Sequence, residues 1–498
     1  MTLPAWSSVL TGCRPGTHGI YDFMQRDPGT YNLSFLSAAH RRVPTLHRIL
    51  ADAGGRVASI AVPTTFPPET LDGIVIAGFD SPVATTAEIR HCAPASEWPS
   101  MVRRFGGLRF ADFQEGHLGP GWHLHARDSL LREIGRKEAL CAQLLEREPW
   151  ALFMVVFGES DTASHHFWMF HDEGSPRHAA ARTHPDFARL RSTVAEIYQR
   201  LDAMVGRLAR HGEIVGVVSD HGFGGAGEHA IYINRFLEDR GWLRFRSPTW
   251  RRGLGDRARR AALSLDGGLL ERLVRRVPGP WIGQTETHAR YGPIDLQRTR
   301  AWSDELNYAA TVHLNIRDRD PLGRVENVPL AIADLTRELL AWEIEGAGVV
   351  EKVHVDPYEG APGAPDLVLT LALRDGYSST VLPSTRVAPG TLWRRLGAHE
   401  HVGGKGLGMN GAHRQHGILA LTGPGFPPGE VTASVWDVAP TLLHALGRPI
   451  PAHMQGRVLT EVLPSTSAVP LADGARPPKT AAVDAIGLRR RLERLGYL

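Results

Sequence analysis

Short apolar runs rich in β-branched residues recur along the chain, each ending in polar residues, glycine or proline and each separated from the next by stretches of helical periodicity. The clearest are RVASIAVP (56–63), ALFMVVFG (151–158), EIVGVVSD (213–220) and GILALTG (417–423). Runs of this kind read as strands buried on both faces, and their alternation with helices predicts a sheet covered on both sides. Between the second and third runs, Phe187, Leu190, Val194, Ile197, Leu201, Met204 and Leu208 follow one another at three or four positions, which predicts a helix with one apolar face crossing between parallel strands. The expected fold class is α/β, with a mostly parallel central sheet sandwiched by helices.

The rhythm divides the chain. Residues 1–240 read as the first part of a core, with a helical insertion at about 85–150. Residues 245–285 break the pattern with Arg251, Arg252, Arg257, Arg259, Arg260, Arg272, Arg275 and Arg276 among Leu and Ala, so 241–300 is expected to be a helical cap. Asp256, Asp266 and Glu271 dilute its basic face, which favours solvent over a membrane surface. Residues 301–463 read as the second part of the core, and 464–498 as a Ser-, Ala- and Pro-rich linker with a short C-terminal helix at 488–498.

Composition narrows the partners. Of 498 residues 42% are hydrophobic and 22% charged, as in an ordinary globular protein, and 56 basic against 53 acidic residues leave no excess that would call for a nucleic acid. Cys13, Cys92 and Cys141 lie far apart without CxxC spacing, which gives neither a disulfide framework nor a zinc ribbon and fits a reducing compartment. No apolar run approaches the roughly 18 residues of a membrane span, and MTLPAWSS has no signal-peptide character, so the expectation is a cytoplasmic protein without stable membrane insertion.

Ligands of open α/β sheets bind beyond the carboxyl ends of the strands, which directs attention to the residues that follow the apolar runs. ALFMVVFG is followed by ESDTASHH, placing Asp161 at a strand end and His165 four residues on. EIVGVVSD runs into HGFGG, placing Asp220 and His221 side by side, and GMNGAHRQH brings His413 toward the sheet just before GILALTG. Carboxylates and imidazoles without cysteine suit Zn²⁺ or Mn²⁺, and two carboxylates with three histidines exceed the needs of one open catalytic site, so two divalent ions are expected. His166, His171, His229 and His416 lack comparable placement. Thr2, two residues before Pro4, stands where a helix could begin; it can serve as a cap or as a nucleophile toward an anion held at the helix N-terminus.

In this order the residues resemble the alkaline phosphatase superfamily, and within it the type I phosphodiesterase/nucleotide pyrophosphatase-like phosphohydrolases and phosphomutases. The resemblance rests on TLPAWSSVLTGCRPGTHGIYDF (2–23), VPTTFPPE (62–69), FGESDTASHHFW (157–168), VVSDHGFG (217–224), GAHRQHGILALTGPGF (411–426) and VWDVAPTLLHALGRPIP (435–451). It implies an alkaline phosphatase-like fold and a two-metal site, one ion taking Asp161, His165 and His413, the other Asp220, His221 and Thr2. It also implies a phosphothreonine intermediate on Thr2 and a small phosphorylated substrate.

Departures from the family pattern narrow this further. TLPAW lacks the CxPxR motif of the sulfatases, which argues against sulfate esters. HGIYDF offers Asp22 and Phe23 where nucleotide pyrophosphatases carry an asparagine, which argues against a nucleotide diester, and no serine nucleophile or matching insertion supports a mutase. The resemblance also implies an apolar strand ending in a metal-binding aspartate ahead of the nucleophile. With Met1 directly before Thr2, that first strand is expected to be missing, either through a start assigned at an internal methionine or through a truncation that leaves a phospho-ligand-binding protein without turnover.

Overall fold

Four apolar runs become strands: Val57–Val62, Leu152–Val155, Val215–Val218 and Leu419–Thr422. The computed structural model describes residues 2–78, 87, 89–108, 121–246, 287–288, 290–305, 309–401 and 408–463, with the backbone of 471–472. The arginine-rich part of the expected cap and the expected C-terminal helix lie outside these residues.

Val57–Val62 pairs in parallel with Gly73–Ala77 on one side and with Leu152–Val155 on the other, and Cys92–Ala93 adds an antiparallel edge. Val57, Ala58, Ile60 and Val62 are completely buried, as a strand covered on both faces must be. Val215–Val218 pairs antiparallel with Leu419–Thr422. Among the described residues Leu152–Val155 and Val215–Val218 each carry a ladder on one side only, and both are half-buried. The Thr2–Thr11 helix links them: Trp6, Val9 and Leu10 pack with Val62 and Val438, and Met154, Val156, Val218 and Leu419 close around that cluster.

The helix expected between the second and third runs is present but divided, into Phe187–Leu190 and Thr193–Leu208; among the described residues the strands it connects share no ladder. The break falls at Arg191–Ser192, where Ser192 and Thr193 together favour a helix end over a helix interior. In the region of the expected insertion, Trp98–Phe105 and Trp122–Arg147 are helical. The longer one lies against the sheet: Leu140, Cys141 and Leu144 meet Ala58, Ile60, Ile74 and Ile76, while Ala126, Leu130 and Ile134 meet Phe167, Phe170 and Ile197. Cys13, Cys92 and Cys141 are all buried and free.

A second core has no counterpart in the apolar runs. Strands Val350–Val355, Leu367–Leu371, Ala310–Leu314 and Ala301–Trp302 form an antiparallel sheet in that order. Helix Val328–Leu340 contributes Ala331, Leu335 and Leu339 to its core, with Trp302, Val312, Leu314 and Trp342 and with Ile233, Phe236 and Leu237 from the Ile233–Asp239 helix.

Glu305 ties this region together, accepting hydrogen bonds from the backbone N–H of Asn234 (2.8 Å), the backbone N–H of Ser384 (2.6 Å) and the Ser384 hydroxyl. Burial pushes its carboxyl up to about 7, only partly opposed by the Ser384 and Asn234 donors. The folded protein therefore retains a proton that the unfolded chain gives up near pH 4.5, and stability drains away between that pH and about 7 before levelling off. Thermal unfolding should show the wild type losing midpoint relative to Glu305→Gln between pH 4.5 and about pH 7, with no further loss above that. Parallel pH profiles would contradict the assignment.

Candidate metal centre

The Glu159–His171 helix begins four residues after the Leu152–Val155 strand ends, so Asp161 and His165, one turn apart, share a helix face at the carboxyl end of that strand. Val215–Val218 ends just before Ser219, and Asp220 and His221 occupy the turn into the long Gly222–Ile231 strand. Gly411–Arg414 lies antiparallel on the first residues of that strand, with His413 opposite Phe223. Thr2 is the first residue of the Thr2–Thr11 helix.

All six residues singled out in the sequence come together. The Nε2 atoms of His165 and His413 are 2.9 Å apart, and Asp161 lies 3.6 Å from the first and 3.2 Å from the second. These three form a group whose ligand atoms all lie within 4.8 Å of one another. His221 continues the constellation: its ring stacks on His413 at 3.6 Å, and its Nε2 is 3.8 Å from Asp161, 3.3 Å from Asp220 and 3.3 Å from the Thr2 hydroxyl.

The donor set fits cations. His165 Nδ1 is 3.0 Å from the Gly411 carbonyl and His221 Nδ1 is 3.0 Å from the Gly222 carbonyl. A carbonyl oxygen can only accept, so each Nδ1 carries the proton and each Nε2 turns a lone pair into the site. Two such lone pairs beside two carboxylates make an electron-rich centre that positive charge would stabilise. The charges respond to one another. Around Asp161 desolvation pushes the carboxyl up, but the attraction of the His165 ring when it is protonated, then a hydrogen bond from His413 and the like attraction of protonated His413 and His221, outweigh it and hold the group below the ordinary range. Asp220 is pushed up, first by burial and then by Asp161, against the pull of His221. Burial lowers His413 to about 3, against the pull of Asp161, so this imidazole is neutral and able to ligate.

Several residues that shape the site lie within the quoted motifs, but their roles were not legible there. Phe223 meets His165 edge-on at 4.7 Å and His413 at 5.6 Å, and Trp168 lies beyond it at 5.7 Å, forming an apolar wall behind the imidazoles. Gly411 lets the His413 strand approach the Glu159–His171 helix, because a Cβ there would overlap the Ser164 carbonyl and the Phe223 ring. Of the histidines set aside, His166 packs against Trp122 at 4.8 Å and His229 pairs with Glu345 at 3.2 Å.

The type I phosphodiesterase/nucleotide pyrophosphatase family profile matches residues 1–344. The chain belongs to this family. Its members are metal-dependent phosphoric ester hydrolases. Similar solved structures include phosphonoacetate hydrolase from Sinorhizobium meliloti 1021 in complex with phosphonoacetate, with a TM-score of 0.42 and 14% identity over 90% of this chain and 84% of that one. Murine ectonucleotide pyrophosphatase/phosphodiesterase 5 gives a TM-score of 0.38 and 11% identity over 90% of this chain and 84% of that one. No curated protein matches the chain. Among the described residues no helix is long and apolar enough to cross a membrane.

Gly411→Ala should separate the two histidine-bearing elements. Equilibrium dialysis should show affinity for Zn²⁺ or Mn²⁺ weakened about tenfold or more, and urea unfolding a loss of about 1–3 kcal/mol. Unchanged metal affinity would show that the close approach is not required.

Proposed function

We propose that this protein hydrolyses a small phosphoric mono- or diester through a covalent intermediate on Thr2, assisted by two divalent ions, Zn²⁺ or Mn²⁺. The observation that carries the reading is the position of Thr2: its hydroxyl opens a ten-residue helix and lies 3.3 Å from His221 in a cluster of imidazoles and carboxylates. Asp161, His165 and His413 would hold one ion, and Asp220, His221 and Thr2 the other. Bound there, the ions supply Lewis-acid stabilisation of the phosphoryl oxygens and favour the deprotonated form of a coordinated hydroxyl.

The remaining work belongs to the chain. The positive end of the Thr2–Thr11 helix dipole favours an anion at the same end where Thr2 presents its oxygen. Attack by Thr2 forms an oxygen–phosphorus bond as the bond to the ester alcohol breaks, and the proton lost by the Thr2 hydroxyl ends on the departing alcohol. A monoester leaves phosphothreonine and a diester leaves phosphothreonine still esterified to its second alcohol; water then breaks the Thr2–phosphorus bond, releasing phosphate or a phosphate monoester and regenerating Thr2. The Phe223 wall keeps solvent from one side of the imidazoles, and the Nδ1–H bonds to Gly411 and Gly222 hold His165 and His221 with Nε2 facing inward.

Thr2→Ala should abolish release of alcohol from an aryl phosphate mono- or diester, leave metal content near that of the wild type, and prevent trapping of a phosphorylated protein detectable by mass. Retained turnover, or a phosphoryl group trapped elsewhere, would overturn the role of Thr2.

A further inference from the structure

Arg177 is completely buried, yet its hydrogen bonds among the described residues go to uncharged oxygens rather than to a carboxylate. Its Nη1 donates to the carbonyls of Gly408 (2.9 Å) and Met409 (2.7 Å) and to Asn410 Oδ1 (3.3 Å). Nε and Nη2 donate to the Gly227 carbonyl at 3.0 and 2.5 Å, and Nη2 reaches the Thr380 hydroxyl at 3.5 Å. A buried charge is expensive unless its donors are satisfied, and here the satisfaction comes from gathering one short segment, 408–410, onto the Gly222–Ile231 strand.

Asn410 is the node of that segment. It is 1% exposed. Its backbone N–H donates to the His165 carbonyl at 2.9 Å, its side-chain amide donates to the His166 carbonyl at 3.1 Å, and its own carbonyl accepts from the Ala226 N–H at 2.9 Å. The next residue, Gly411, accepts from His165 Nδ1, and His413 follows two residues later. One residue thus joins, through backbone and side chain together, the helix that carries Asp161 and His165, the strand that follows Asp220 and His221, and the strand that carries His413. The Arg177 bond to Oδ1 fixes which end of the amide faces His166, so the NH₂ group points to the carbonyl it must satisfy.

We propose that Asn410, oriented by Arg177, is a positioning residue that holds His165 and His413 as a preformed pair of metal ligands. The proposal rests on the reading of Asp161, His165 and His413 as a metal site, and goes beyond it by assigning the preorganisation to residues that do not touch the ion. Asn410→Asp is nearly isosteric and keeps the acceptor toward Arg177, but it turns a carboxylate oxygen toward the His166 carbonyl, replacing attraction by repulsion. Asn410→Ala removes both side-chain bonds. Orienting partners of metal ligands typically contribute about 10–100-fold in affinity, so both variants should bind more weakly by that factor.

The test is equilibrium dialysis of purified full chain against Zn²⁺ and Mn²⁺, with thermal unfolding of every variant. Leu335→Ala, in the core of the antiparallel sheet, is the control for general destabilisation and should bind within about twofold of wild type. Affinity of Asn410→Asp within about twofold of wild type would overturn the proposal. A wild-type chain that takes up neither ion would instead overturn the metal-centre reading beneath it. If neither variant at position 410 folds, hydrogen exchange on the wild type decides. A preformed pair requires the Asn410 and Ala226 amides to be as well protected before metal is added as after. Amides that exchange freely until metal is added would sink the proposal.

Discussion

Asp161 and Asp220 face the same imidazole nitrogen, His221 Nε2, from 3.8 and 3.3 Å, and the architecture around them follows from the need to hold two carboxylates so close. Desolvation, with the like charge of Asp161 adding to it, drives Asp220 toward its protonated form, while the histidines hold Asp161 below the usual range. Asp161 keeps 40% of its side chain open to solvent, so the centre has a mouth, whereas Asp220 is at 12%. Such a cluster is poorly suited to a structural role in the apo state and well suited to cations that an anionic ester then meets.

The fold supplies these groups from distant parts of the chain by using element ends, where backbone direction is fixed and side chains are not enclosed by the sheet. Asp161 and His165 come from the first turns of a helix, Asp220 and His221 from a strand-to-strand turn, and Thr2 from a helix start. His413 comes from a strand that lies beside the Asp220–His221 turn only because Gly411 permits close contact. The interior is rigid where rigidity matters: the parallel ladder beneath the helix of Asp161 is fully buried at Val57, Ala58, Ile60 and Val62. The Thr2–Thr11 helix is likewise packed along its length, so the candidate nucleophile stands on a fixed support.

Much of this was legible in the sequence for a physical reason. A strand buried on both faces must be written as a continuous apolar run, so Val57–Val62 was visible, and the half-buried Leu152–Val155 was visible because its run is also unbroken; chemistry at strand ends follows directly after such runs. The antiparallel sheet was not visible because strands such as Val350–Val355 mix Glu351, Lys352 and His354 with valine, a pattern that a surface loop could also show. The single expected crossover helix overlooked Ser192 and Thr193, which divide it. Arg177 in PRHAAAR looks like any solvated charge, and Asn410 in a glycine-rich stretch looks like a turn residue. Their significance depends on carbonyls far away, at His166 for Asn410 and at Gly408 and Met409 for Arg177, which no local pattern can reveal.

The proposed reaction needs Asp161, His165 and His413 to hold one ion and Asp220, His221 and Thr2 to hold a second beside it. Anomalous diffraction from crystals grown with Zn²⁺ or Mn²⁺ tests this most directly. Two peaks are expected, the first about 2.0–2.2 Å from His165 Nε2, His413 Nε2 and an Asp161 oxygen, the second bonded to His221 Nε2 and Asp220. Saturating metal with no peak among these residues, or ions bound only elsewhere on the chain, would contradict it.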